Sequence, residues 1–100
     1  MTEYMLGVDI GTTSTKAVLF TTKGEVIGQT NVGYPLHTPN RSTAEQDPEE
    51  IFDAVLESIR LITKRHPSMP PKFVAFSSAM HSLIAMDAQH QPLTACITWA

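Results

Sequence analysis

The sequence has little of what several classes of protein require. It contains one cysteine in 100 residues, and its seven lysines and arginines against ten aspartates and glutamates give a net charge of −3. One cysteine cannot form an internal disulfide, which excludes a disulfide-stapled secreted scaffold. The lack of a basic surplus disfavours nucleic acid and anionic membrane surfaces as partners.

Long hydrophobic runs are also missing. Asp9 and a polar turn interrupt the best candidate, which falls short of the roughly 20 apolar residues that a membrane helix needs. The opening MTEYMLGVD has neither the basic region nor the apolar region of a secretory signal. We therefore expect a soluble, cytoplasmic protein.

What is present suits one globular unit. The chain is 42% hydrophobic, which is ordinary for a domain with a packed core. It stops at CITWA, an apolar run without the exposed closing segment that ends most domains. We expect a fragment of a longer protein.

Apolar runs at the start of the chain predict three strands, Met5–Ile10, Thr15–Thr22 and Glu25–Tyr34. A hydroxyl-rich turn and a glycine-containing turn join them, so an antiparallel meander is expected. The polar stretch Pro35–Gln46 contains two prolines and no regular period, which predicts a loop.

A helix is predicted from about Pro48 to Arg65. Asp47 suits the N-cap, proline suits the first helical position, and Glu50 would complete a capping box. An apolar stripe at helical spacing predicts one face packed on a sheet. The stripe consists of Ile51, Val55, Ile59 and Ile62, widened by Phe52 and Leu56.

Further strands are predicted after the helix. The runs KFVAFSS and SLIAMD would be buried strands, and AQHQP would be a turn leading into LTACITW, where Cys96 would be buried. A three-stranded meander, a helix and further buried strands are what one half of a ribonuclease-H-like α/β layer requires.

The strongest chemical pattern is Asp9 followed by the segment Gly11–Lys16, GTTSTK. Backbone N–H groups, hydroxyls and a lysine can hold a phosphate chain while a carboxylate serves Mg²⁺. The alternative is a hairpin tip in which serine and threonine make only local bonds. Neither the Walker nor the dinucleotide-binding glycine pattern is present.

Two further segments could bind a polyol. Ser77–Ser82, SSAMHS, stands where a predicted strand ends, and Thr98–Trp99 closes the chain. Strand ends of α/β layers face the ligand crevice. Taken singly, His81 could equally be a structural histidine and Trp99 a core residue.

The order of these segments resembles that of a known family. DIGTTSTK at residues 9–16, AEQDP at 44–48, FSSAMHS at 76–82 and TWA at 98–100 are similar to motifs of the FGGY carbohydrate kinases, most closely of the members that phosphorylate gluconate. The resemblance covers all 100 residues. It implies part of the first of two ribonuclease-H-like domains of the actin, hexokinase and heat-shock chaperone superfamily, with the rest of that domain and the second domain absent.

The resemblance also implies roles for individual residues. Asp9 would act on the Mg²⁺ of MgATP, Gly11, Thr12 and Thr13 would line the γ-phosphate, and Lys16 stands where relatives carry lysine or arginine. The implied sugar-binding residues are Ser78, Met80, His81 and Trp99. Glu45 and Gln46 would be structural or cleft-lining.

The implied activity is ATP-dependent phosphorylation of a small sugar or sugar acid. Conversion of gluconate to 6-phosphogluconate is the first candidate, and a xylulose- or glycerol-type kinase is the alternative. The resemblance allows a homodimer. The catalytic aspartate is expected beyond residue 100, so the isolated chain is expected to be inactive. A different class, a non-catalytic or chaperone-like nucleotide-binding module of the same superfamily, stays open.

Overall fold

The computed structural model describes residues 2–35, 37–40, 43–78 and 84–98, and for residues 37–40, 43–44 and 97 only the backbone. Within these ranges the chain forms seven strands and one helix. They are β1 (Tyr4–Ile10), β2 (Ser14–Thr21), β3 (Val26–Gly33), β4 (His37–Asn40), β5 (Thr43–Gln46), α1 (Pro48–Arg65), β6 (Pro71–Ser78) and β7 (Cys96–Ile97).

The predicted meander is confirmed. β1 pairs antiparallel with β2, and β2 with β3. The turn between β2 and β3 closes through Gly24, whose φ of +88° lies in the region that glycine enters without steric cost. β6 then adds to β1 in parallel, which gives the described sheet the order β3-β2-β1-β6.

The segment expected to be a loop instead contains two strands. β4 and β5 pair antiparallel, and β5 pairs antiparallel with β7 to form a second sheet. The loop prediction for Pro35–Gln46 was wrong because cross-strand pairing, of β4 with β5 and of β5 with the distant β7, rather than apolar periodicity, decides the structure here.

The helix begins and ends where it was predicted. The Asp47 side chain caps it by accepting a hydrogen bond from the Glu49 N–H at 2.9 Å, and basic residues fill its last turn. α1 lies across β2 and β3 and reaches β1 less. The core between helix and sheet consists of Leu6, Val8, Ala17, Leu19, Val55 and Ile62.

Two parts of the predicted stripe on α1 differ from expectation. Ile51 and Ile59 are partly buried against this core, whereas Phe52 and Leu56 are 59% and 49% exposed. At 100° per residue the last two lie on the flank that turns away from the sheet, so they do not widen the buried face.

The predicted strand KFVAFSS forms, as β6, but it is exposed rather than buried. Phe73 and Phe76 are 52% and 61% exposed, because α1 packs on β2 and β3 whereas β6 is the edge strand at the other end of the sheet. The described part of SLIAMD is not a strand: Met86 makes one isolated bridge to Pro92. Cys96 is buried, as expected.

In the described part of the chain, no helix has both the length and the apolar character that crossing a bilayer requires.

Candidate functional site

The hydroxyl-rich turn connects β1 to β2 through residues 11–13. Gly11 N–H donates to the carbonyl oxygen of Ser14 at 2.9 Å, which closes the turn. A Cβ added at Gly11 would lie 3.0 Å from that same carbonyl oxygen. The tight turn therefore explains why glycine stands at this position.

Two residues from other elements hold the turn. The Tyr34 hydroxyl donates to the Gly11 carbonyl, and the Tyr34 N–H donates to the Thr13 carbonyl at 3.0 Å. The Gln46 side-chain amide, at the end of β5, donates to the Thr12 carbonyl. Three successive carbonyl oxygens of the turn thus accept hydrogen bonds from outside it.

Asp9 lies one residue before the end of β1, on the sheet face opposite the buried Val8. Its Oδ1 accepts a hydrogen bond from Ser77 Oγ on β6 at 2.8 Å. Lys16 on β2 stands directly across from Asp9 in the antiparallel register. Asp9, Lys16 and Ser77 therefore line one depression together with Gly7.

Asp9, which lines this depression, lies two residues before the start of the turn at residues 11–13. The parallel strands β1 and β6 end side by side, with Ile10 opposite Ser78. Ser78 is exposed there. The structure thus brings one predicted sugar-binding residue beside the predicted phosphate-binding turn. The others, Met80, His81 and Trp99, lie outside the described residues.

The Tyr34 phenol is buried beside the turn. Burial raises its pKa above the ordinary value, and the negative charge of Asp9 acts in the same direction. The phenol is therefore a neutral donor at physiological pH, which suits its bond to the Gly11 carbonyl.

Metal-binding groups are sparse in the described part of the chain, where no three His, Cys, Asp or Glu side chains converge on one point. Asp9 could supply a single carboxylate ligand. Mg²⁺ in phosphoryl-transfer sites is bound through one or two carboxylates together with substrate phosphates and waters, so the donor set fits a metal that arrives with its nucleotide.

Sequence reasoning missed Tyr34 and did not assign Gln46 a contact. Tyr34 follows β3 directly, and the register that pairs Ser14 with Gly33 places it next to Thr13. A strand register worked out from the sequence could have found it. Gln46 could not be found in this way, because its segment was expected to be a loop.

Comparisons with known proteins find kinases of similar sequence. The sequence model of the FGGY family of carbohydrate kinases, N-terminal domain, matches residues 4–100. The gluconokinase of Bacillus licheniformis is 63% identical over 100 residues, and the xylulose kinase of Staphylococcus xylosus is 31% identical over 96 residues. These matches take in 100% and 96% of this chain, and 20% of each relative.

A solved structure shares the fold as well. The crystal structure of gluconate kinase from Lactobacillus acidophilus superposes with a TM-score of 0.87 at 40% identity, covering 99% of this chain and 20% of that one. The chain thus spans about a fifth of the length of the relatives it matches. Its α/β sheet has the topology of the sugar kinases in the actin, hexokinase and heat-shock ATPase superfamily. With its family match over residues 4–100, the chain belongs to the FGGY family of carbohydrate kinases.

Proposed function

We propose that the protein carrying this chain transfers the γ-phosphoryl group of ATP to gluconate and yields 6-phosphogluconate. The observation that carries the choice of substrate is the 63% identity to a gluconokinase across all 100 residues, against 31% to a xylulose kinase. The geometry of the β1–β2 turn supports the phosphoryl-transfer step independently of that identity.

The turn is suited to hold the phosphate end of ATP. Gly11 allows the backbone to approach an oxyanion closely, and Thr12 and Thr13 add hydroxyl donors that do not obstruct it. Lys16 lies on the same sheet face as Asp9 and would offset charge on the transferring group. Donors fixed before the reaction stabilise developing charge without reorganisation.

Asp9 is the residue that would hold Mg²⁺, directly or through water. Its carboxylate is exposed near the end of β1 and is oriented by Ser77. The metal, when bound, neutralises charge on the phosphate oxygens. One carboxylate is enough for this role, because most other ligands would be phosphate oxygens and waters.

Gluconate would lie beside Ser78 at the end of β6, with Met80, His81 and Trp99 completing its site. A catalytic aspartate beyond residue 100 would deprotonate the attacking hydroxyl.

In this proposal residues 1–100 form the N-terminal portion of the first kinase domain and are inactive alone, since phosphoryl transfer requires both substrates positioned in a closed cleft. An enzyme that consumes ATP works where ATP is supplied, which agrees with the cytoplasmic expectation.

The test is a substrate panel with the full-length protein. Gluconate, xylulose and glycerol are each offered with MgATP, and ADP release and sugar phosphate are measured together. We expect kcat/KM for gluconate to exceed the other two by at least about a hundredfold, because a site built to hydrogen-bond its substrate rejects analogues strongly. A preference for xylulose or glycerol would show that the proposed substrate is wrong. ATP hydrolysis without sugar phosphate would favour the non-catalytic or chaperone-like class.

A further inference from the structure

The contacts behind the phosphate-binding turn come from two buried side chains. Gln46 is 3% exposed and Tyr34 is 8% exposed. The side chain of each donates a hydrogen bond to a carbonyl oxygen of the turn, Gln46 to that of Thr12 and Tyr34 to that of Gly11. Buried polar groups are costly unless they are bonded, so these two donors favour one orientation of the turn's peptides.

That orientation has a chemical consequence. In a trans peptide the carbonyl and the following N–H point in opposite directions. With the Gly11 and Thr12 carbonyls directed at Tyr34 and Gln46, the N–H groups of Thr12 and Thr13 are directed away from them. A flipped peptide would present a carbonyl oxygen where an N–H now stands, and a carbonyl oxygen repels an anion.

Gln46 also ties the turn to the second sheet. It is the last residue of β5 and pairs with Cys96 at the start of β7. Cys96 is 6% exposed. One buried amide therefore connects the turn on the first sheet to the strand that leads into Thr98, next to the predicted sugar-binding Trp99.

We propose that Gln46 and Tyr34 are positioning residues, which hold the turn at residues 11–13 with its N–H groups oriented for the phosphates of ATP. The kinetic part of this proposal rests on the proposed kinase function, whereas the orientation of the turn does not.

The kinetic test uses the full-length protein and three variants. Gln46→Met keeps the length of the side chain and removes the donor, and we expect kcat/KM for ATP to fall by about tenfold to a hundredfold, the scale of a misplaced catalytic contact. The KM for gluconate should stay within about threefold, since the loss concerns the phosphate side. Gln46→His retains an N–H of similar reach and should restore most of the loss. Tyr34→Phe removes one carbonyl contact and keeps the ring and the backbone bond to Thr13, so its effect should be smaller.

The matched control is Thr30→Val. Thr30 Oγ1 donates to the Ser58 carbonyl at 2.7 Å, a buried side-chain-to-backbone bond between β3 and α1. Its loss should lower stability while kcat/KM for ATP stays unchanged. If Gln46→Met behaves like the unmodified protein, or if Thr30→Val shows the same kinetic loss, the positioning role is wrong.

Hydrogen exchange separates this proposal from the kinase function. The Gly11 and Tyr34 N–H groups donate to the Ser14 and Thr13 carbonyl oxygens and so report on the turn. In Gln46→Met these two amides should exchange at least about tenfold faster than in the unmodified protein, the scale set by leaving a buried hydrogen bond unmade. Thr30→Val should leave them unchanged. A full-length protein without any kinase activity would refute the proposed function, and the exchange rates would still decide the positioning role: equal rates in Gln46→Met would overturn it.

Discussion

Asp9 and Ser77 are joined across two parallel strands, with Ser77 Oγ donating to Asp9 Oδ1 at 2.8 Å. The two residues are direct neighbours in the register of β1 and β6. The bond holds the carboxylate on the face where Lys16 also lies. The candidate metal ligand is therefore oriented by a residue that lies 68 positions later in the chain, after β2 to β5 and α1.

Replacing Asp9 by asparagine should lower kcat by at least about a hundredfold while the KM for gluconate changes little. Asparagine keeps the shape and can still accept from Ser77, but it lacks the charge that stabilises the transition state of phosphoryl transfer. Steady-state kinetics of the full-length protein at saturating MgATP measure this. A turnover equal to that of the unmodified protein would refute the metal role.

Ser77→Ala is the companion variant, because it removes the orienting bond and leaves the charge. We expect kcat to fall by about tenfold at most, well below the loss in Asp9→Asn, since the carboxylate is exposed and water replaces much of the lost hydrogen bond. The same assay measures it. A loss as large as that of Asp9→Asn would mean that Ser77 itself contacts the substrates.

Two glycines near the turn should respond differently to alanine. A Cβ at Gly11 would stand 3.0 Å from the Ser14 carbonyl oxygen, whereas one at Gly33 would stand 3.6 Å from the Thr13 carbonyl oxygen, an ordinary contact. Gly11→Ala should therefore raise the KM for ATP and Gly33→Ala should not. Equal kinetics of the two variants would show that the turn tolerates displacement.

Stability should depend on the inner face of α1 and not on its outer flank. Ile62 is fully buried, and Ile62→Ala should lower the free energy of unfolding by about 2–5 kcal/mol. Leu56, 49% exposed on the same helix, serves as the control, and Leu56→Ala should cost less than about 1 kcal/mol. Denaturant unfolding measures both, and a reversed order would mean that another part of the full-length protein covers the outer flank.

Tyr34 should make stability fall at alkaline pH. Its pKa in the folded protein is raised by burial above the ordinary 10.0, so the unfolded state loses the phenolic proton first as pH rises. The contribution of Tyr34 is complete below pH 10 and is lost as pH rises from there through the raised pKa. Unfolding curves between pH 8 and 11 should show a decline that Tyr34→Phe reduces, and identical slopes would contradict the burial of the phenol.

The sequence predicted the elements whose signals are local. The meander and α1 follow from apolar periodicity, capping and turn residues, and Asp47 and Gly24 act as expected. The pattern did not reveal β4 and β5, which pair with each other without a regular apolar period, and β5 pairs in addition with the distant β7. The pattern also predicted that β6 is buried, because a continuous apolar run indicates burial. The run does not show which neighbouring element would cover the strand.

In the candidate site, too, local sequence signals were found and contacts between distant residues were not. Asp9 and the turn were found because acid, glycine and hydroxyls are adjacent in sequence, and the resemblance gave them roles. Tyr34 and Gln46 reach the turn from 23 and 34 residues away. Tyr34 does so through the register of β2 and β3, and Gln46 through β5, which was not predicted. Met80, His81 and Trp99 remain predictions.

The position of the nucleotide phosphates tests the proposed kinase site most directly. A crystal structure of the full-length protein with gluconate, Mg²⁺ and a non-hydrolysable ATP analogue should show the terminal phosphate within hydrogen-bond distance of the Thr12 or Thr13 donors, with Asp9 facing the metal. Phosphates bound away from residues 11–13, with Asp9 still bonded only to Ser77, would contradict it.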